Sequence, residues 1–543
     1  YRVGVIGQPD ASGDDIMRLG APLLFWGVTA GCIDSMVANR TASGKRRKTD
    51  DYTPGGVNNR RPDRSAIAYA NLIRRYSKAE ARPIVLGGIE ASLRRVAHYD
   101  FWTDRVRRSV LFDAKADYLL YGMCERSVVE LAAHLKDGVD PASVRGLCRI
   151  STELPEGCVE LPSFEECEKD RDAFTRAFRT FYDNNDPPTA RPLAQKHGTR
   201  YLVQNPPAHY LTQKELDRVY SLGYERDAHP HHKKDGAIKA LETIRFSIST
   251  HRGCYGECSF CAIAVHEGRR VRSRSRESIV AEAAEMTRHP LFKGRIHDVG
   301  GPSANMYGST CVKMEEKGCC TKKSCISPKV CPLLKPGHAE QLALLKEIRA
   351  IKGIKKAVVA SGVRHDLVLA DRKDGERYLK ELVTHHVSGQ MKIAPEHSED
   401  RVLGLMGKPG CDQDALIRFK ELFYRFTGEA GLKQYLTYYL MAAHPGCDLN
   451  DMKKLRAFAL KELGTVPEQV QVFTPTPSTY STLMYWTGRD PFTGNPCFVE
   501  KSVRGREAQK AVLSSQGCCG GNKGAGGEKR RGFKRGNYSG KRG

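Results

Sequence analysis

In the second half of the chain, short apolar runs alternate with longer stretches in which apolar residues recur every three or four positions. The short runs are Ile244–Thr250, Ile296–Val299, Ala357–Ser361, Gln390–Ile393, Tyr435–Met441 and Val470–Phe473. Runs of this length predict buried strands. Between them, Arg276–Arg288, Ala339–Lys352, Glu376–His385, Gln413–Thr427 and Asp451–Leu463 predict helices. In the first of these, Ser275 can cap the free N–H groups and Glu277 suits the positive end of the helix dipole. Ile279, Ala283 and Met286 then share one face. Six strands alternating with five helices predict a parallel (β/α) barrel or partial barrel over residues 242–500. Parallel neighbours need long crossovers, which are usually helical and right-handed.

Residues 1–137 alternate in the same way, with strands expected at Tyr1–Ile6, Leu23–Val28, Pro83–Gly87 and Tyr118–Tyr121. Helices are expected at Asp63–Lys78 and Glu125–Leu135, and a loop at Lys45–Arg64. The whole chain therefore reads as α/β, with a Rossmann-like N-terminal domain ahead of the barrel. Residues 138–241 break the pattern. Phe164–Tyr182 looks helical, but Asn205-Pro206-Pro207 and His229-Pro230-His231-His232 interrupt any regular element, so the stretch is read as a connector. Residues 305–337 form a Lys- and Cys-rich insertion after the second barrel strand, and 501–543 a basic, Gly-rich tail. Its Gly517–Gly543 portion has too few apolar residues to offset ordering entropy and is expected to be disordered.

Composition narrows the picture. With 40% hydrophobic and 28% charged residues among 543, the chain can bury large cores and keep a polar surface. No apolar run approaches the ~18 residues of a membrane-spanning helix. A cytoplasmic location is expected, with a short leader ahead of Tyr1, because Arg2–Gly7 reads as a strand and not as a signal peptide. The net charge is +24, of which the 12 basic and 2 acidic residues of Lys501–Gly543 supply +10. Such a balance favours phosphate-bearing partners and makes RNA a candidate, against the plainer reading of a solvated basic surface. Eighteen cysteines, some tightly grouped, point to a reducing compartment and to metal.

The tightest grouping is His251-Arg-Gly-Cys254-Tyr-Gly-Glu-Cys258-Ser-Phe-Cys261, just after the first barrel strand. Cysteine thiolates hold iron–sulfur clusters. Three from one loop can bind three irons of a four-iron cluster and leave the fourth open to a small molecule. The C-terminal end of a barrel strand is also where such folds place their chemistry. Zinc is the alternative: it prefers four ligands, and His251 or His266 could complete a set.

With Phe260 before its last cysteine, this loop resembles the radical S-adenosylmethionine (SAM) signature. The wider sequence resembles the YgiQ-like radical SAM proteins, through Tyr52–Gly56, Val85–Arg95, Thr250–Cys261, Gly300–Gly308 and Lys392–His397. The likeness spans positions 1 to about 500. It implies a 4Fe-4S cluster on Cys254, Cys258 and Cys261, SAM on the open iron, and an electron donor of flavodoxin or ferredoxin type. The cluster's electron would split SAM and release a 5′-deoxyadenosyl radical that attacks a substrate. By position, Gly300 and Gly301 would meet the SAM amino group, although Pro302 stands where the class has Glu. Ser361 and Arg364 end the third strand, and Arg364 could pair the SAM carboxylate. Lys392, Glu396 and His397 end the fourth strand, as candidates for ribose or carboxylate contacts and for acid–base work. Ala443-His444-Pro445-Gly446 follows the fifth. The other functional class is a regulatory or nucleic-acid-binding protein that uses metal-clamped loops without radical chemistry.

Cys311, Cys319, Cys320, Cys325 and Cys331 fall within 21 residues of the insertion and suggest a second metal site, iron–sulfur or zinc. Val85-Leu-Gly-Gly88 and Tyr121-Gly122 resemble the turns of cobalamin-binding-like domains. The chain lacks an Asp-x-His-x-x-Gly motif, so cobalamin is not expected. The run Arg94–Trp102 mixes basic and aromatic residues and is expected to face the barrel.

Overall fold

The computed structural model describes residues 1–77, 82–321, 324–467 and 470–514. In its second half the predicted strands pair in parallel and in chain order. Ser247–Ser249 pairs with Asp298–Gly300, and Arg295–Ile296 with Lys356–Ala357. Val363 bridges Ile393, and Gln390–Glu396 pairs with Tyr435–Ala442, which pairs with Val470–Val472. Ile248, Val299, Val359, Ile393 and Leu440 are buried in the core these strands share. Helices Arg276–Met286, His338–Ala350, Gly375–Glu381, Gln413–Glu429 and Leu449–Phe458 lie between them in sequence. Ser275 caps the first by accepting from the Ser278 N–H, and Ile279, Ala283 and Met286 are its buried face. The third and fifth each continue into a π-helical turn, at Leu382–His386 and Ala459–Leu463.

The first half is built on one seven-stranded sheet. Its order is Trp26–Thr29, Ile84–Gly87, Tyr118–Leu120, Leu147–Ser151, Arg200–Gln204, Leu193–His197 and Val159–Leu161. The first three strands are parallel, as expected. The other four come from the stretch read as a connector, so the boundary expected at 137 runs through a continuous sheet. These strands are only three to five residues long, and apart from the hairpin of Leu193–His197 with Arg200–Gln204 they pair at long range, which leaves little local signal.

Two other expectations change. Tyr1–Ile6 is not a strand: Val3 and Val5 are 81% and 68% exposed, and alternation without a ladder partner does not hold a strand. The tail assignment from 501 begins too early, since Val503–Val512 is a helix docked on the barrel. The Gln509 side chain accepts from the Ala443 N–H at 2.9 Å and donates to the Cys447 carbonyl at 3.0 Å. Gly517–Gly543 lies outside the described residues.

The two halves meet along the run expected to do so. Tyr99 stacks on Trp486 with ring centres 5.0 Å apart, Phe101 meets Tyr485 edge-on, and Ser478 donates to the Leu93 carbonyl at 2.8 Å. Among the described residues, no helix is long and apolar enough to cross a membrane.

Candidate metal centre

After strand Ser247–Ser249 the chain forms a two-residue antiparallel pair, His251–Arg252 with Arg272–Ser273. The loop between these pieces carries all three signature cysteines. It opens at Gly253, whose φ is +80°, and a Cβ there would collide with the Arg270 carbonyl. The Cys254 N–H donates to the Gly268 carbonyl at 3.1 Å, the Cys261 N–H to the Cys258 carbonyl at 2.9 Å, and the Ser259 N–H to the Met406 carbonyl at 2.9 Å. The Gly256 N–H donates to the Cys254 sulfur at 3.4 Å. The backbone thus fixes the loop and offers a donor to one thiolate.

The three thiols feel one another's charge. Burial first, and then Cys258, pushes the Cys254 thiol up to about 12. Burial, Cys258 and Cys254 raise Cys261 as well. Cations oppose this. Arg364 Nη1 donates to the Cys258 sulfur at 3.5 Å. Lys408, buried, donates to the Ala394 carbonyl and lies 3.5 Å from the Glu396 carboxylate. The Cys254 and Cys261 thiols are therefore protonated near neutral pH without a metal, and binding one releases protons.

Arg364 does not present a free fork. Its Nε and Nη2 donate to Asp366 at 3.0 and 2.5 Å, so the bidentate pairing expected with the SAM carboxylate is made within the chain. Burial raises the Asp366 carboxyl, and the Arg364 charge more than offsets it, bringing that group to about 2. Gly300 and Gly301 are pressed by neighbours. A Cβ on Gly300 would lie 2.5 Å from the Ser361 hydroxyl, and one on Gly301 2.5 Å from the His251 ring. Ser361 donates to Asp298, which ties the second strand to the third, and the Gly300 carbonyl accepts from the Thr250 N–H at 2.7 Å. Phe260, half-buried, meets His444 edge-on at 6.2 Å.

The fourth strand divides its candidates. Lys392 is exposed and Glu396 buried: four positions apart they would share a face of a regular strand, and the register shift between Ile393 and Glu396 turns Glu396 inward. Glu396 sits at a register shift with φ +69°, and its charge acts on Cys261. Lys392 is accordingly not brought to the cysteines. His397 and His444 are buried and held neutral. Burial lowers them to about 4 and about 3, and His444 Nε2 pairs with the Ser481 hydroxyl at 2.6 Å. An acid–base role for His397 at neutral pH does not fit that setting.

Several neighbours were not legible beforehand. Lys408 and Cys411 arrive from a turn some 150 residues beyond the loop, and Cys411 Sγ is 3.7 Å from Arg364 Nη2. A Lys and a Cys framed by Gly407, Pro409 and Gly410 after a strand was the available signal. Glu257, between the first two cysteines, accepts from Arg269 at 3.3 Å and from the Tyr182 hydroxyl at 3.4 Å. A narrow cleft of about 60 Å³ is lined by Tyr121, Gly122, His209, Tyr210, Arg252 and His266, and by none of the three cysteines.

Among the described residues, no three His, Cys, Asp or Glu side chains close around a point suited to one metal ion. A tetrahedral zinc with Zn–S bonds of about 2.3 Å draws its sulfurs to about 3.8 Å from one another. A four-iron cluster spreads them across its corners. Three thiols presented by one loop beside two buried cations suit the chemistry of a cluster held by thiolates.

Residues 1–247 match the family model described as Radical SAM N-terminal. It is 53% identical over 517 residues to a UPF0313 protein of Fusobacterium nucleatum, covering 95% of this chain and 91% of that one. It is 48% identical to a UPF0313 protein of Thermotoga petrophila, covering 94% and 89%. The chain belongs to the UPF0313 family, the YgiQ-like radical SAM proteins. Among solved structures, TsrM from Kitasatospora setae, a radical SAM methyltransferase with cobalamin and a [4Fe-4S] cluster bound, is 14% identical with a TM-score of 0.47, covering 91% of this chain and 80% of that one.

Proposed function

We propose that this protein is an enzyme that reductively cleaves SAM, with a 4Fe-4S cluster on Cys254, Cys258 and Cys261. The observation that carries the reading is one short loop whose three thiols act on one another while two buried cations face them. Such a cluster passes one electron to the sulfonium of SAM bound at its open iron, giving methionine and a 5′-deoxyadenosyl radical that takes hydrogen from a substrate. The electron comes from a donor of flavodoxin or ferredoxin type.

The chain's own groups supply position and charge. Gly253 lets the loop turn tightly, and the Gly256 N–H donates to the Cys254 sulfur. Arg364, held by Asp366, and Lys408, held by the Ala394 carbonyl, set positive charge beside thiolates that burial alone would disfavour. Gly300 and Gly301 leave room above Ser361 and His251 where any side chain would intrude.

The test is anaerobic reconstitution followed by dithionite and SAM. Wild-type protein is expected to be brown and to yield 5′-deoxyadenosine, and Cys258→Ala to yield none. Normal cleavage by that variant refutes the ligand assignment. Deuterium transfer into 5′-deoxyadenosine from labelled cell extract would then identify the substrate.

A further inference from the structure

The insertion between strand Asp298–Gly300 and helix His338–Ala350 returns on itself. Thr310 and Lys335 exchange N–H···O bonds of 3.0 and 2.9 Å, closing the segment at its base. Inside, Val312–Lys317 is helical, and the apolar filling is small: Ile326 and Leu334, packed with Met306, Tyr255, Val271 and Leu367. Cys311, Cys325 and Cys331 pack against that same cluster. A segment with so little apolar content needs a staple, and thiols are the groups it carries.

Its five cysteines are not equivalent. Cys319 is turned to another partner: its N–H donates to Asp186 at 2.8 Å, and its thiol is raised by burial and by Asp186. Of the other four, Cys311, Cys325 and Cys331 pack on that one apolar cluster. The Cys331 N–H donates to the Cys325 carbonyl at 2.8 Å. The Cys320 carbonyl accepts from Arg269 at 3.4 Å, the same guanidinium that holds Glu257 of the signature loop.

The two cysteine sets share a wall. Cys254 and Tyr255 belong to the apolar cluster that receives Cys325. A Cβ on Gly256 would lie 3.1 Å from the Cys254 sulfur and 3.7 Å from Ile326 Cδ1, the residue after Cys325.

We propose that Cys311, Cys320, Cys325 and Cys331 hold a second four-iron cluster, packed against the loop of the first, while Cys319 stays outside it. Four protein thiolates leave none of its irons open, so its chemistry is confined to taking up and releasing one electron. The assignment stands without the first cluster.

The deciding protein is the full chain with Cys254→Ala, Cys258→Ala and Cys261→Ala together, reconstituted anaerobically with ferrous iron and sulfide. It is expected to retain about four irons and four labile sulfides, and to give a paramagnetic signal after dithionite. Adding Cys325→Ala and Cys331→Ala should remove them. To guard against misfolding of so altered a chain, Cys320→Ser and Cys319→Ser are made singly in the otherwise natural protein. The first should lower total iron from about eight to about four, and the second should leave it unchanged. Iron-free triple variant, one zinc in place of iron, or equal losses in the two single variants would each overturn the proposal. Four irons in the triple variant beside only four in the wild type would sink the first site and leave this one standing.

Discussion

The signature loop and the insertion both gather thiols, but their surroundings differ. Around Cys254, Cys258 and Cys261 stand Arg364 and Lys408, both buried and each with an acidic partner. Around Cys311, Cys325 and Cys331 the packing is apolar, with Ile326 and Leu334 in contact. Three ligands beside cations suit a cluster that must bind an anionic, polar molecule at its free corner. Four ligands in an apolar wrap suit one that exchanges only electrons. Ligand count and local charge, not the presence of cysteine, separate reactive from passive sites.

The largest expected effect falls on the reactive side. Cys258→Ala should lower 5′-deoxyadenosine production by at least ~1000-fold, while Cys319→Ala should leave it within about twofold, measured by chromatography under reducing conditions. Arg364→Met should be the next largest. It strands Asp366, buried, without its partner, and should cost about 3–5 kcal/mol in urea unfolding. Adding Asp366→Leu should recover much of that loss. Recovery of stability without recovery of SAM cleavage would show that Arg364 serves the cluster as well as the fold.

Gly301→Ala tests the close packing of the signature loop on the second strand. Its Cβ would press on the buried His251 ring and should cost about 1–3 kcal/mol, seen as a lowered thermal midpoint. The pH dependence should be broader and milder. His397 and His444 are lowered to about 4 and about 3, below the unfolded value near 6.5. The unfolded chain therefore takes up protons first. Their contribution is complete above about pH 6.5 and is lost as pH falls through that value towards 4 and 3. The thermal midpoint of the metal-free protein should drop across this window, and less steeply in His444→Gln. A flat midpoint from pH 7 to 4 would contradict their burial as neutral groups.

Much of this was legible in the chain. The barrel's strands and helices follow from periodicity, because each helix buries a stripe that recurs locally. The cysteine loop was legible because its three cysteines lie within eight residues. The strands over 147–204 were not: Leu147–Ser151 and Val159–Leu161 are short and pair with partners dozens of residues away, and the hairpin of Leu193–His197 with Arg200–Gln204 turns on only two residues, Gly198 and Thr199. Lys392 looked equivalent to Glu396 in a motif, yet one is exposed and the other buried. Tyr1–Ile6 had the alternation of a strand but no edge to join.

By itself the sequence determined the barrel's alternation, the close spacing of three cysteines in one loop and the abundance of thiols, since all rest on spacing along a few turns of chain. Only the tertiary structure decided that Arg364 is engaged by Asp366, that Lys408 and Cys411 reach the centre from far along the chain, and that Cys319 leaves its neighbours for Asp186. Those outcomes depend on which distant groups compete for one buried charge or donor, and that competition is settled in three dimensions.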